Sequence, residues 1–187
     1  MTKRTREDVS RVIKAYDVRG VVGEEITPEF IRDTGAAFAR LLREEGETTV
    51  AIGHDMRPSS PELAAAFSAG AREQGLDVIM LGLTSTDQLY FASGTLRCAG
   101  AMFTASHNPA EYNGIKLCRS GARPVSQDTG LREITDMLVD GVPAHEGEAG
   151  VEKQQDCLEV YGEYLRDLVD LHSIRPLVVA VDAANGM

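Results

Sequence analysis

Ala99-Gly100-Ala101-Met102-Phe103 runs into Thr104-Ala105-Ser106-His107-Asn108-Pro109, and Tyr112-Asn113-Gly114-Ile115-Lys116-Leu117-Cys118 follows closely. The first five residues are continuously apolar and bounded by polar sequence, as a short buried strand is. Ile115, Leu117 and Cys118 begin a second strand. The polar segment between them is therefore a loop at the carboxyl end of a strand, where α/β proteins place much of their chemistry. Pro109 holds its own φ and disfavours helix at Asn108, so the loop is extended or turned there. Gly114 permits a close backbone approach before the strand that carries Lys116. The residue types suit phosphoryl transfer: a hydroxyl at Ser106, a group titrating near neutrality at His107, and a mobile cation at Lys116. Successive side chains of a strand point to opposite faces, so Ser106 and His107 share one pocket only on irregular backbone. The same composition also suits a plain turn linking two strands.

Working outward, strands and helices alternate. Residues 48–53 and 77–82 read as strands. Residues 27–46, 61–75 and 84–94 read as helices, the first capped by Thr27 with Pro28 in its opening turn and the third capped by Thr84 or Ser85. This alternation predicts an α/β layered domain with helices covering a sheet. Residues 9–14 read as a short strand leading to a tight turn at Ala15-Tyr16-Asp17-Val18-Arg19-Gly20. Residues 126–139 read as an amphipathic helix. The Gly-, Glu-, Ala- and Pro-rich segment 141–150 marks a boundary, giving a first domain over 1–148 and the start of a second over 149–187. In that second part, 155–170 reads as a helix and 177–182 as a buried strand, too little to make a stable domain alone.

The chain has 187 residues, 43% of them hydrophobic and 26% charged. That length buries roughly 70% of the unfolded surface. A net charge of −10, from 29 acidic and 19 basic residues, speaks against nucleic acid or anionic membrane as the main partner. No apolar run is long enough to cross a bilayer, and residues 1–8 lack the apolar segment of a signal peptide. Cys98, Cys118 and Cys157 have no metal-ligand spacing and read as reduced, packed thiols of a cytoplasmic protein.

Thr-Ala-Ser-His-Asn-Pro at 104–109 with Asn-Gly-Ile-Lys at 113–116 resembles the phosphoserine loop of the α-D-phosphohexomutase superfamily, in the form found in bacterial phosphomannomutase/phosphoglucomutases. Ala-Tyr-Asp-Val-Arg-Gly at 15–20 is similar to that family's N-terminal loop, and Gly53 to Ser59 resembles its Gly-x-Asp-x-Arg-x-Ser segment. The resemblance implies a mixed sheet and interconversion of hexose 1-phosphate and hexose 6-phosphate through a phosphoserine and a bisphosphorylated sugar. Mannose and glucose phosphates lead as substrates. It implies catalytic roles for Ser106, His107, Lys116 and Arg19, and substrate or phosphate contacts for Tyr16, Asn108 and Arg57. Asp55 and Arg57 also fit a purely structural loop pair, and His54 a satisfied loop histidine. It further implies Mg²⁺, with the Ser106 phosphate as one ligand, and hexose 1,6-bisphosphate as activator. The family's Asp-x-Asp-x-Asp-Arg run, Gly-Glu-x-Ser loop and Arg-x-Ser-Gly-Thr clamp are not in the sequence. The expectation is a piece of a longer four-domain enzyme that depends on further domains of the same polypeptide and has little activity by itself.

Two other readings compete. A serine hydrolase requires a Gly-x-Ser-x-Gly elbow, whereas Ser106 stands between Ala105 and His107. A phosphosugar-binding or regulatory module without turnover would need only the first domain.

Overall fold

A computed structural model describes residues 4–169, 171 and 173–184. Seven strands form one mixed sheet: β1 (Val18–Val21), β2 (Thr49–His54), β3 (Asp77–Leu83), β4 (Ala99–Phe103), β5 (Tyr112–Arg119), β6 (Arg123–Pro124) and β7 (Glu152–Gln154). Their order is β1-β5-β4-β2-β3-β7, with β6 also on β5. β4, β2, β3 and β7 are parallel, while β5 runs antiparallel to β1, β4 and β6. The expected layered α/β domain with a mixed sheet is what forms.

Among the described residues, six α-helices accompany the sheet: α1 (Arg6–Val12), α2 (Pro28–Glu44), α3 (Ser60–Glu73), α4 (Thr86–Leu96), α5 (Leu131–Asp140) and α6 (Leu158–Asp167). The period-2 alternation of the strands divides the core between two faces. Val50, Ile52, Val78, Met80, Ala101, Phe103, Ile115 and Leu117 face the larger cluster, packed with residues of α1, α2, α3 and α5. Ala51, Ile79, Leu81 and Met102 face the smaller one, packed with Leu89 and Ala92 of α4. Because β2 and β4 are covered on both faces, they read as continuous apolar runs. α2 and α3 approach closely through small residues: a Cβ on Gly35 would lie 2.3 Å from the Phe67 carbonyl oxygen. Among the described residues, no helix is long and apolar enough to cross a membrane.

Several expectations need correction. Residues 9–14 are not a strand; Val9 and Val12 lie in α1. Thr5 and Asp8 form a reciprocal capping box, and Val9 and Val12, three apart, both bury on one helical face. These local signals outweigh the β preference of Val and Ile. Chain reversal follows at once, with Ile13 bridged to Val18. Residues 126–130 precede α5 as a 3₁₀ turn (Gln127–Thr129) and a Gly130 at φ +139°, which breaks the expected single helix. Ser85, rather than Thr84, caps α4.

The sheet also continues past the expected boundary at 148/149. β7 pairs with β3 in parallel register, Val78 opposite Glu152 and Met80 opposite Gln154. Beyond it, α6 is shorter than 155–170, and Asp170 lies outside the described residues. The expected strand over 177–182 makes no sheet pairing among the described residues, and Leu177, Val178, Val179 and Val181 are exposed. A strand satisfies its backbone only against a neighbour, and no described segment supplies one. Residues 185–187, the end of the expected Asn-Gly motif, fall outside the described residues.

Candidate active site

The parallel pairing of β2 and β4 puts their carboxyl-end loops side by side. The pairing is carried one step further by the Asp55 N–H, which donates to the Phe103 carbonyl at 2.9 Å. β5 enters the sheet at this same end, with Tyr112 opposite Val21 of β1. Three segments distant in sequence, around Arg19, Arg57 and Ser106, therefore meet at one edge.

Ser106 is exposed, and its backbone lies in the left-handed region at φ +53°. For a residue with a Cβ that conformation costs about 1–2 kcal/mol and must be held by its surroundings. Two things hold it. The Ser106 N–H donates to Thr104 Oγ1 at 3.0 Å, and the Ser106 carbonyl accepts from Arg57 Nη2 at 3.0 Å. The irregular backbone also resolves the strand problem: Ser106 Oγ and His107 Nδ1 sit 3.4 Å apart on one side of the loop.

Arg57 is nearly fully buried. Its Nη1 donates to the carbonyls of Pro109 (2.7 Å) and Tyr112 (3.0 Å), and its Nη2 to those of Ser106 and Asn108 (2.7 Å). Its Nε lies 3.2 Å from Asp55 Oδ2. The Asp55–Arg57 pair anticipated as loop structure is present, extended to the whole serine loop.

Beneath it lies a polar network that sequence reading passed over. Asp55 Oδ1 accepts from the Arg57 N–H and from Ser60 Oγ at 2.6 Å. Asn113 Nδ2 donates to Ser59 Oγ and Ser60 Oγ, and Asn113 Oδ1 accepts from the Gly114 N–H. Ser60 and Asn113 are completely buried. Ser59 is the N-cap residue of α3, yet its hydroxyl makes no capping hydrogen bond, and Ser60 Oγ is likewise engaged elsewhere. Both turn toward Asn113 instead, and no local pattern carries that information.

Arg19 lies opposite Gly114 across β1 and β5. It donates to Asn108 Oδ1 at 2.7 Å and to Asp17 Oδ2 at 2.6 Å, while its Nε is buried with no partner among the described residues. Two positions along β5, Lys116 projects from the same sheet face as Arg19 and is half-buried. It makes no hydrogen bond or ion pair among the described residues. Tyr16 is exposed in the turn closed by Lys14 N–H to Asp17 carbonyl, without a hydrogen bond of its own among the described residues. His54 Nδ1 is engaged by the Asp55 carbonyl at 2.9 Å. A cleft of about 320 Å³ lies along the loop, bounded by Met56, Arg57, Pro58, Ser106, His107, Asn108 and Ala110.

The family model described as phosphoglucomutase/phosphomannomutase, alpha/beta/alpha domain I, matches residues 10–140. The chain belongs to that family.

Relatives include the phosphohexose mutases of Xanthomonas campestris pv. campestris, 42% identical over 174 residues. The phosphomannomutase of Salmonella typhimurium is 37% identical over 176 residues. Each match covers 92% of this chain and 38% of the relative. Among solved structures, a phosphoglucomutase/phosphomannomutase family protein from Burkholderia thailandensis superposes with a TM-score of 0.75 at 32% identity, covering 83% of this chain and 35% of that one. The chain thus spans little more than a third of the length of these relatives.

Proposed function

We propose that this chain carries the phosphoserine of a phosphohexomutase acting on mannose or glucose phosphates in the cytoplasm. The observation that supports this most directly is Ser106 itself, exposed at φ +53° on a loop whose carbonyls are tied down from beneath. In the forward step the Oγ–P bond of phospho-Ser106 breaks and a P–O bond to the sugar hydroxyl forms. The hydroxyl proton passes by way of the free amine of Lys116 to the departing Ser106 Oγ, with His107 polarising the exchange. The bisphosphorylated sugar then turns over and returns its other phosphate to Ser106 Oγ, and a proton returns to the sugar oxygen. A phosphoserine carries roughly −1.5 to −2 charges, which the fixed charge of Arg19 offsets in part. Arg19 meets the loop through Asn108.

Magnesium would take a phosphoserine oxygen as one ligand and supply charge stabilisation to the transferring phosphoryl group. Among the described residues, no group of three or more His, Cys, Asp or Glu is arranged to hold a metal ion. The described residues therefore do not complete a magnesium site, and no step above passes through the ion. We assign the remaining ligands, the sugar-reading residues and efficient turnover to other parts of a longer polypeptide.

The test is intact mass and peptide mapping after incubation with glucose 1,6-bisphosphate and Mg²⁺. One added phosphoryl group on Ser106, absent in Ser106→Ala, is the expected result. Saturable binding of the sugar phosphate with no transfer would instead make the chain a binding module.

A further inference from the structure

We propose that Arg57 is a positioning residue for phosphoryl transfer at Ser106, and that it contacts neither donor nor sugar. The inference rests on the phosphoserine reading above. A guanidinium has two hydrogens on each Nη, and here all four find carbonyl oxygens, those of Ser106, Asn108, Pro109 and Tyr112. The remaining Nε–H faces Asp55 Oδ2. No donor is left over for a phosphate.

The consequence for the loop follows from peptide planarity. A carbonyl turned toward Arg57 turns the next residue's N–H the opposite way. The amides of His107 and Ala110 therefore face away from the guanidinium, and neither has a protein partner among the described residues. Asn108 is followed by Pro109, which has no N–H to orient. The carbonyl dipoles, which would repel an anion on Ser106, are gathered on the cation, and the amides that attract one are turned outward. Asp55, Ser60 and Asn113 close the ring beneath, fixing the guanidinium to β2, α3 and β5. Lysine cannot replace this fork, because a single ammonium with three donors does not span four carbonyls.

The experiment follows the rate of Ser106 phosphorylation by glucose 1,6-bisphosphate and Mg²⁺ as the donor concentration is varied. In Arg57→Ala and Arg57→Lys the maximal rate should fall about 100-fold, as a displacement of the reacting atom by ~1 Å does. The half-saturating donor concentration should stay as in the wild type. Added guanidinium ion, far below denaturing concentrations, should recover rate in Arg57→Ala and leave Arg57→Lys unchanged. An unaltered maximal rate, or a raised half-saturating concentration at unaltered maximal rate, would overturn the proposal. Hydrogen exchange of the 104–114 backbone supplies a readout that needs no reaction. Faster exchange there in Arg57→Lys, with β2 and β4 protected as in the wild type, supports the clamp, and unchanged exchange refutes it. Where the wild-type chain takes no label, the exchange measurement alone decides the clamp.

Discussion

Arg19 and Asn108, 89 positions apart in sequence, are joined by a hydrogen bond of 2.7 Å from Nη1 to Oδ1. This contact links β1 to the serine loop, and Asp17, in the turn before β1, holds the same guanidinium from the other side at 2.6 Å. Removing the acceptor in Asn108→Ala should cost about 1–2 kcal/mol, since a partly buried charged donor loses its partner. Asn108→Asp should keep the contact and hold stability within about 1 kcal/mol. It also sets a carboxylate beside the phosphate proposed on Ser106, so labelling should fall in both variants. Denaturant titration and labelling rates check the pair; a stable, fully labelled Asn108→Asp would contradict it.

Ser106 supplies a second test, because its backbone and its hydroxyl serve different ends. Glycine adopts φ +53° without the Cβ penalty, whereas alanine retains it. Ser106→Gly should be more stable than Ser106→Ala by about 1 kcal/mol. Both should be unable to take a phosphoryl label. Equal stability of the two would mean that the left-handed backbone stores no strain.

Gly114 sits where β1 crosses β5. A Cβ there would lie 2.2 Å from the Val18 carbonyl oxygen, a backbone atom that yields only if the strands part. Gly114→Ala should destabilise the chain by about 2–3 kcal/mol through overpacking. It should also disturb the Arg19–Lys116 face. Thermal melting is the measurement, and a shift no larger than that of an exposed alanine substitution would count against the close approach.

Burial pushes the Cys98 thiol up to about 11, against 9.0 for the unperturbed group. Between those values the unfolded chain loses the proton while the folded one keeps it, so folding weakens as pH rises. The contribution is complete below pH 9.0 and is lost as pH passes through about 11. Two pH units correspond to about 3 kcal/mol at most. Denaturant titrations at pH 8 to 10 (roughly the window in which free thiols ionise) should show a steeper decline for the wild type than for Cys98→Ala. Parallel slopes would show that the thiol does not contribute.

Much of this was legible along the chain. The Thr27 cap with Pro28 set α2, the apolar run 99–103 became β4 as read, and the strand read over 48–53 formed one residue later, as β2. Failures came where a local signal had two meanings. Val9, Val12 and Ile13 favour a strand by propensity, but Thr5 and Asp8 cap a helix whose Val9–Val12 face buries. Residues 177–181 have a strand's composition, yet pairing requires a neighbour, and exposed apolar side chains are the result.

The sequence by itself determined most of the elements, the serine-bearing loop and the residue types proposed for phosphoryl transfer, because caps, period-2 alternation and Pro and Gly constraints act over a few residues. Only the tertiary structure decided what those residues do to one another. It turned Arg57 inward onto four carbonyls, sent Ser60 to Asp55 and Asn113, and set Arg19 against Asn108. Those partners lie on separate strands and loops, and the order in which parallel and antiparallel strands pair, which no local periodicity encodes, brings them to one edge.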